Sequence, residues 1–269
     1  MNNTPKQILL YKALGSSLPA FGHVPMVLGN DRTRLSKRHG AMSVTAYREM
    51  GYLPDALINY LVRLGWSHGD QEFFTRDELI EKFTLENIGR SAGVFDQEKL
   101  LALNADHIKV AEPKKLIAPL IPFLKERGIE ADDETYLEAV IKTLNIRSKT
   151  LKEMAEGAEF YFQDDISYDE KAAKKFLKPV ILEPLRQLAT EFESLDQFDE
   201  KTLERVFVKV MEAAGLKLGK IAQPVRVALT GKTASPGIFE IIEVLGKTKV
   251  LSRLKKAVQF IVDKNENLS

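Results

Sequence analysis

The sequence predicts a mainly α-helical protein, and three observations carry that reading. Apolar residues recur three and four apart through most of the chain, as in Leu57, Tyr60, Leu61 and Leu64, and again in Leu203, Val206, Phe207, Val210, Met211 and Ala214. This is the period of a helix with one buried face. A Ser or Thr followed three residues later by Glu opens several such stretches, at Thr75 to Glu78, Thr150 to Glu153 and Ser167 to Glu170, the pattern of a capping box. No alternating apolar and polar run follows residue 31, which argues against a β-barrel in the second half.

Taken in order, residues 4 to 14 read as a short helix with Pro5 near its start, where a missing N–H is no loss. Ile8, Leu9 and Ala13 form its expected buried side. A loop follows, then a strand from His23 to Leu28 that ends at the turn Gly29-Asn30-Asp31. One helix and one strand cannot close a core, so residues 1 to 30 read as the end of a larger α/β domain. Ser43 caps a helix through Met50, and Gly51 fits the left-handed position after it. Pro54 opens and Gly65 closes the next helix. Phe74 and Leu79 staple the Thr75 box from outside, as Phe95 and Leu100 do for a helix starting at Asp96. Pro113 marks a joint.

Beyond that joint nearly everything reads as helix. Leu137, Val140, Ile141 and Leu144 stop at Asn145. Leu151, Met154, Ala155, Ala158 and Phe162 follow the Thr150 cap. The Leu203 stripe stops at Gly215. Ser235-Pro236 starts a helix that ends near Gly246, and Val250, Leu254, Val258 and Ile261 mark the last one.

Composition narrows the function classes. Hydrophobic residues make up 44% of the 269 and charged residues 29%, the proportions of a globular protein. The apolar run from Leu116 to Leu124 is broken by Pro119 and Pro122 and is too short to span a bilayer. The start MNNTPKQ is no signal peptide, so a cytoplasmic location with no membrane partner is expected. The chain has no cysteine, which removes disulfides and thiolate zinc sites. Its four histidines lack metal-ligand spacing, so no metal site is expected. A net charge of +1 means that any nucleic-acid affinity must come from local patches. Residues 126 to 138 are acidic, whereas residues 217 to 256 carry nine Lys or Arg against two Glu. Arg226, Phe239 and a helix start lie in that basic stretch, and cations, an aromatic face and free N–H groups are what single-stranded RNA requires. Gly231-Lys-Thr and Gly246-Lys-Thr resemble the end of a phosphate loop. The Gly that such a loop needs five residues earlier is replaced by Arg226 and Ile241, so both read as turns or helix ends.

The segment Arg34-Leu-Ser-Lys-Arg-His-Gly40 gathers three cations (Arg34, Lys37, Arg38) around Ser36, with Gly40 closing it. Such a loop suits a polyphosphate, because its lysine can sit where charge grows on a leaving group.

At residues 34 to 67, RLSKRHGAMSVTAYREMGYLPDALINYLVRLGWS, the sequence closely resembles bacterial glutamyl-tRNA synthetases, of class I. The resemblance extends to TPKQILLYKALG, to TLKEMAEGAEFYF and to KLGKIAQPVRVALTGKTASPGIFEIIEVLGK. It implies that Leu35, Ser36, Lys37 and Arg38 form the second class I signature, an ATP loop in which Lys37 is catalytic. Leu35 and Arg38 stand where the common form has Met and Ser. It further implies that Arg147 reads the third anticodon letter, and that Arg226, Ser235, Pro236, Ile238 and Phe239 face the other two. The implied fold is a remnant of a class I Rossmann catalytic domain at 1–30, a signature loop and α-helical stem-contact domain at 31–111, and an α-helical anticodon-binding cage in two parts, 112–165 and 166–269. The implied partners are glutamate-specific tRNA, L-glutamate and ATP with Mg, acting on a monomer. The first class I signature, of His-x-Gly-His type, is absent from the sequence. The chain therefore reads as the C-terminal part of the ligase, able to bind tRNA but not to charge it. A free-standing tRNA-binding module is the alternative. The retained ATP loop favours the first reading. A glutaminyl enzyme would need a β-barrel where this sequence is helical.

Overall fold

The structure, a computed structural model, describes residues 3–36 and 42–266. Thirteen helices and two very short strands are present among them. Two compact units divide the chain, residues 1–106 and 107–269.

The first unit opens with α1 (Thr4–Ala13), which carries Pro5 in its first turn and buries none of its residues. Leu9 is 66% exposed and Ala13 is exposed, with Ile8 half-buried. The expected buried side of this helix is therefore largely open, since no helix or strand among the described residues buries it. The expected strand shrinks to β1 (Val27–Leu28), which pairs in parallel with β2 (Gly93–Val94). Two residues are too few to show an alternating pattern, so β2 left no trace in the sequence. Next come α2 (Val44–Glu49), α3 (Pro54–Arg63) and α4 (Arg76–Lys82). The next helix, α5 (Gln97–Val110), begins in this unit and runs past its last residue.

Local signals set these helices as expected. Ser43 accepts the Ala46 N–H, and Gly51 takes a φ of 85°. At Thr75 the capping box is complete: Thr75 Oγ1 accepts from Glu78 N, and the Glu78 carboxylate accepts the Thr75 N–H at 2.8 Å. These bonds hold the Glu78 carboxyl down to about 2 from its usual 4.5. Phe74 and Leu79 meet with Trp66 in one apolar cluster. Leu100, with Phe95 beside it, joins Tyr47, Tyr52, Leu57 and Tyr60 in another. Leu61 departs from the expected stripe and is 47% exposed. Asn59 is buried on the same helix, where it donates to Glu72 O and accepts from Phe74 N. A fully buried amide survives when both ends are bonded. Gly93 lies so close to Leu64 that a Cβ there would fall 2.2 Å from the Leu64 carbonyl oxygen.

The second unit is built on longer helices. α6 (Pro113–Glu126), α7 (Glu134–Leu144) and α8 (Leu151–Phe162) pack on one another. α6 runs through both Pro119 and Pro122 without ending. α9 (Glu170–Phe176) and the 3-10 turn Pro179–Ile181 lead to α10 (Leu182–Glu193), α11 (Glu200–Ala214), α12 (Leu218–Thr230) and α13 (Ile238–Glu266). α13 packs against α10, α11 and α12 and also against α7. It breaks at Gly246, where φ is 74° and ψ is 161°, in agreement with the expected stop.

The predicted stripes form the core of this unit. Leu137, Val140 and Ile141 on α7, Met154, Ala155 and Ala158 on α8, and Leu203, Phe207 and Val210 on α11 are fully buried. Each such side chain larger than alanine contributes roughly 1.5–3 kcal/mol. Gly215 closes α11 at φ 62°. Two caps differ from expectation. The Thr150 hydroxyl accepts from Glu153 N, but the Glu153 carboxylate bonds the N–H of Lys149, one residue earlier than a full box requires. α9 is capped by Asp169, not Ser167. The Asp169 N–H is held by the Gly231 carbonyl at 2.9 Å, which places the carboxylate, not the upstream hydroxyl, beside Ala172 N.

Candidate nucleic-acid interface

Two places hold the site residues that the sequence singled out, one in each unit. In the first unit, the chain turns back at residues 29–33. Gly29 N donates to Thr33 O at 2.9 Å, and the Asp31 carboxylate accepts the Thr33 N–H and hydroxyl. Arg32 takes the left-handed conformation at φ 60°. Leu28 and Arg34 form an antiparallel bridge, and Leu35 N donates to Val27 O at 3.0 Å. Leu28 O in turn accepts the Phe95 N–H at 2.8 Å. The entry to the basic loop is thus tied to β1 by one antiparallel bridge and one further backbone bond, with Leu35 and Ser36 half-buried at its end. Lys37 and Arg38, with His39, Gly40 and Ala41, lie outside the described residues.

In the second unit, a cavity of about 470 Å³ is lined by Arg147, Gly157, Phe160, Lys232, Ser235 and Pro236, among others. That volume is within the range of small-ligand sites, about 300–1,000 Å³. One wall is the face of α8 that carries Glu153, Glu156, Gly157 and Phe160, residues three and four apart. At its N-terminal end the chain is locked on both sides of Arg147. Leu144 O accepts from Arg147 N, Ser148 N and the Ser148 hydroxyl, each at 3.0 Å, and Thr150 then caps α8. The Arg147 guanidinium is exposed and has no hydrogen bond or ion pair among the described residues.

The facing wall is the entry to α13. Arg226, from α12, donates to Ser235 Oγ, to Ser235 O at 3.2 Å and to Pro236 O at 2.6 Å. Gly237 N donates to the Glu240 carboxylate at 2.9 Å. Burial, and then the like charge of Arg147, pushes the Arg226 guanidinium below its ordinary value. Its Nε is buried with no hydrogen-bond partner among the described residues. Arg226 thus holds the Ser235-Pro236 turn from behind, whereas Arg147 faces the cavity free. Ile238 is buried, and the half-buried Phe239 ring meets Phe207 edge-on at 5.1 Å; neither lines the cavity.

The basic stretch of α13 does not form the open cationic face that its composition suggests. Arg253 is 1% exposed and donates to Leu229 O at 2.5 Å and to Phe160 O and Gln163 O at 2.6 Å. These are the terminal carbonyls of α12 and α8, where helix dipoles favour a cation. Lys249 donates to Tyr161 O at 2.9 Å and lies over the Tyr136 ring. Lys256 pairs with Asp165. Sequence reasoning missed that role for Arg253, yet a signal existed: it falls on the same helical face as Val250, Leu254 and Ala257, all buried.

Comparison with known proteins adds to this geometry. Residues 115–258 match the anticodon binding domain family, and residues 1–102 match the catalytic domain family of class I tRNA synthetases (E and Q). A glutamate–tRNA ligase of Desulfosudis oleivorans is 63% identical over 261 residues, covering 97% of this chain and 56% of the relative. One of Syntrophobacter fumaroxidans is 59% identical over the same shares. A crystal structure of a glutamate tRNA ligase from Elizabethkingia meningosepticum, in complex with its amino acid, is similar at a TM-score of 0.80 and 29% identity, covering 97% of this chain and 56% of that one. The chain spans about half the length of the curated relatives it matches.

Proposed function

From the premise that this chain belongs to the glutamate–tRNA ligase family, we propose that it is the tRNA-binding and anticodon-recognising part of an enzyme that joins L-glutamate to its tRNA with ATP. One observation carries this reading: the partnerless Arg147 lines the same cavity as Ser235 and Pro236. A guanidinium fork can bond the edge of an unpaired base, and the opposite wall supplies hydroxyl and carbonyl groups. Arg226, behind that wall, keeps its turn in place. Functionally the chain divides into a catalytic remnant (1–30), a signature-loop and stem-contact region (31–111) and a two-part anticodon cage (112–165 and 166–269).

The loop at Leu35, Ser36, Lys37 and Arg38 takes the ATP phosphates. The Lys37 ammonium meets charge that develops on pyrophosphate, an effect of about 3–4 kcal/mol for one well-placed donor. No group of three or more His, Cys, Asp or Glu that could hold a metal occurs among the described residues. Mg fits here as a companion of ATP, since it keeps its waters and binds through substrate phosphates. No helix among the described residues is long and apolar enough to cross a membrane, and we place the protein in the cytoplasm as a monomer.

The test uses the purified chain. It is expected to bind glutamate-specific tRNA but to form no glutamyl-tRNA when given L-glutamate, ATP and Mg. A chain that does not bind tRNA contradicts the reading of the cavity. Charging above background contradicts the assignment of residues 1–30 as a remnant.

A further inference from the structure

We propose that the Lys232 ammonium binds the phosphate of the RNA nucleotide whose base enters the cavity of the second unit, an assignment that rests on reading that cavity as an RNA site. Of the nine cations between residues 217 and 256, six are committed within the fold. Arg226 holds the Ser235-Pro236 turn. Lys247 donates to Glu193 O and Leu195 O at 2.8 and 2.9 Å. Lys249 and Arg253 tie down the end of α8. Lys255 pairs with Glu193 at 2.5 Å, and Lys256 pairs with Asp165. The side chains of Lys217, Lys220 and Lys232 have no partner among the described residues, and of these three Lys232 lines the cavity.

Lys232 is also presented on a turn with little freedom. Gly231 closes α12 at φ 75°, and a Cβ there would fall 2.2 Å from Ser167 O. Gly231 O accepts the Asp169 N–H at 2.9 Å, and the Thr230 hydroxyl oxygen accepts the Lys232 N–H at 3.2 Å. The backbone of Lys232 is therefore fixed while its side chain stays exposed. A mobile ammonium on a rigid base suits a phosphate, which needs a point charge and no particular orientation. The planar fork of Arg147 suits a base edge. The two cations share one cavity and divide the nucleotide between them.

The experiment titrates the full chain with a glutamate-specific tRNA transcript and with the same transcript changed at the third anticodon letter, from 50 to 200 mM salt. Lys232→Ala is expected to weaken both RNAs by the same factor, about two- to fivefold, and to reduce the log–log salt slope by about 0.7. Lys256→Ala, whose ammonium already has a carboxylate, is expected to leave affinity and slope near wild type. An unchanged slope in Lys232→Ala, or unequal weakening of the two RNAs, overturns the assignment. So does an equal slope loss in Lys256→Ala, because the elimination then fails. If the unsubstituted chain binds neither RNA, the reading of the cavity falls and takes this assignment with it. If Lys232→Ala behaves as expected and Arg147→Gln leaves discrimination intact, base reading falls and the phosphate contact stands.

Discussion

The two units solve the burial problem by different means. In the second, long helices share wide apolar stripes, and side chains such as Leu120, Leu137, Phe192 and Phe207 have no exposed surface. In the first, short helices are set one by one by caps and staples, and Leu9, Leu14 and Val24 are 66, 77 and 73% exposed. The first unit therefore depends on local polar devices: the Thr75 box, Asn59 across two backbone groups, and the Asp31 turn. The second depends on packing, and its most buried polar device is one arginine that joins two helix ends. The lesson is that the same sequence signals carry different weight in the two halves. A cap decides a seven-residue helix, while a fifteen-residue helix is decided by its stripe.

The contrast breaks first at Arg253. Arg253→Met is expected to lower stability by about 2–4 kcal/mol, since one buried and two part-buried carbonyls lose a charged donor. Urea unfolding followed by far-ultraviolet circular dichroism measures this. A loss under 1 kcal/mol would show that the second unit rests on its apolar core alone. Next comes Gly93→Ala, where a Cβ would strike Leu64 O. A cost of about 1–3 kcal/mol is expected, the range for overpacking. It should appear in the fluorescence of Trp66, the chain's single tryptophan, with little loss of total helix signal. An unperturbed Trp66 signal and unchanged stability would mean that the strand pair adapts freely.

The smallest effect concerns Glu78. Its carboxyl titrates near 2 in the folded chain and near 4.5 when free. The folded value is depressed, so the capping box contributes fully above pH 4.5. That contribution fades as pH falls from there through about 2. Glu78→Gln is expected to remove this pH dependence, read as a flatter Trp66 acid titration in that window. An identical titration in the variant would show that the box adds nothing to α4.

Most of the fold was legible because it is encoded locally. Thr75, Ser43, Gly51 and Gly215 act through bonds to residues within one turn, and Leu137, Val140, Ile141 and Leu144 through a period that the chain itself displays. What escaped depends on distant partners. Asp169 takes the cap from Ser167 because Gly231, far along the chain, holds its N–H. Arg253 looked like a surface cation because the carbonyls that receive it belong to residues 160, 163 and 229. The cavity itself was half legible. Resemblance named Arg147, Ser235 and Pro236, and the structure lines one cavity with all three. The edge-on contact of Phe239 with Phe207 was not visible from spacing. Lys232 was dismissed with its Gly-Lys-Thr turn, since only the fold shows which cations are already committed.

The central claim is that the second unit reads a base with Arg147. It is tested most directly by Arg147→Gln, titrated with the glutamate-specific tRNA and the transcript changed at the third anticodon letter. The fork exists only in the arginine, so the affinity gap between the two RNAs should narrow by about 1–3 kcal/mol, roughly 5- to 150-fold, by analogy with base contacts in DNA. Equal weakening of both RNAs, with the gap preserved, would contradict it and make Arg147 a phosphate contact or a bystander.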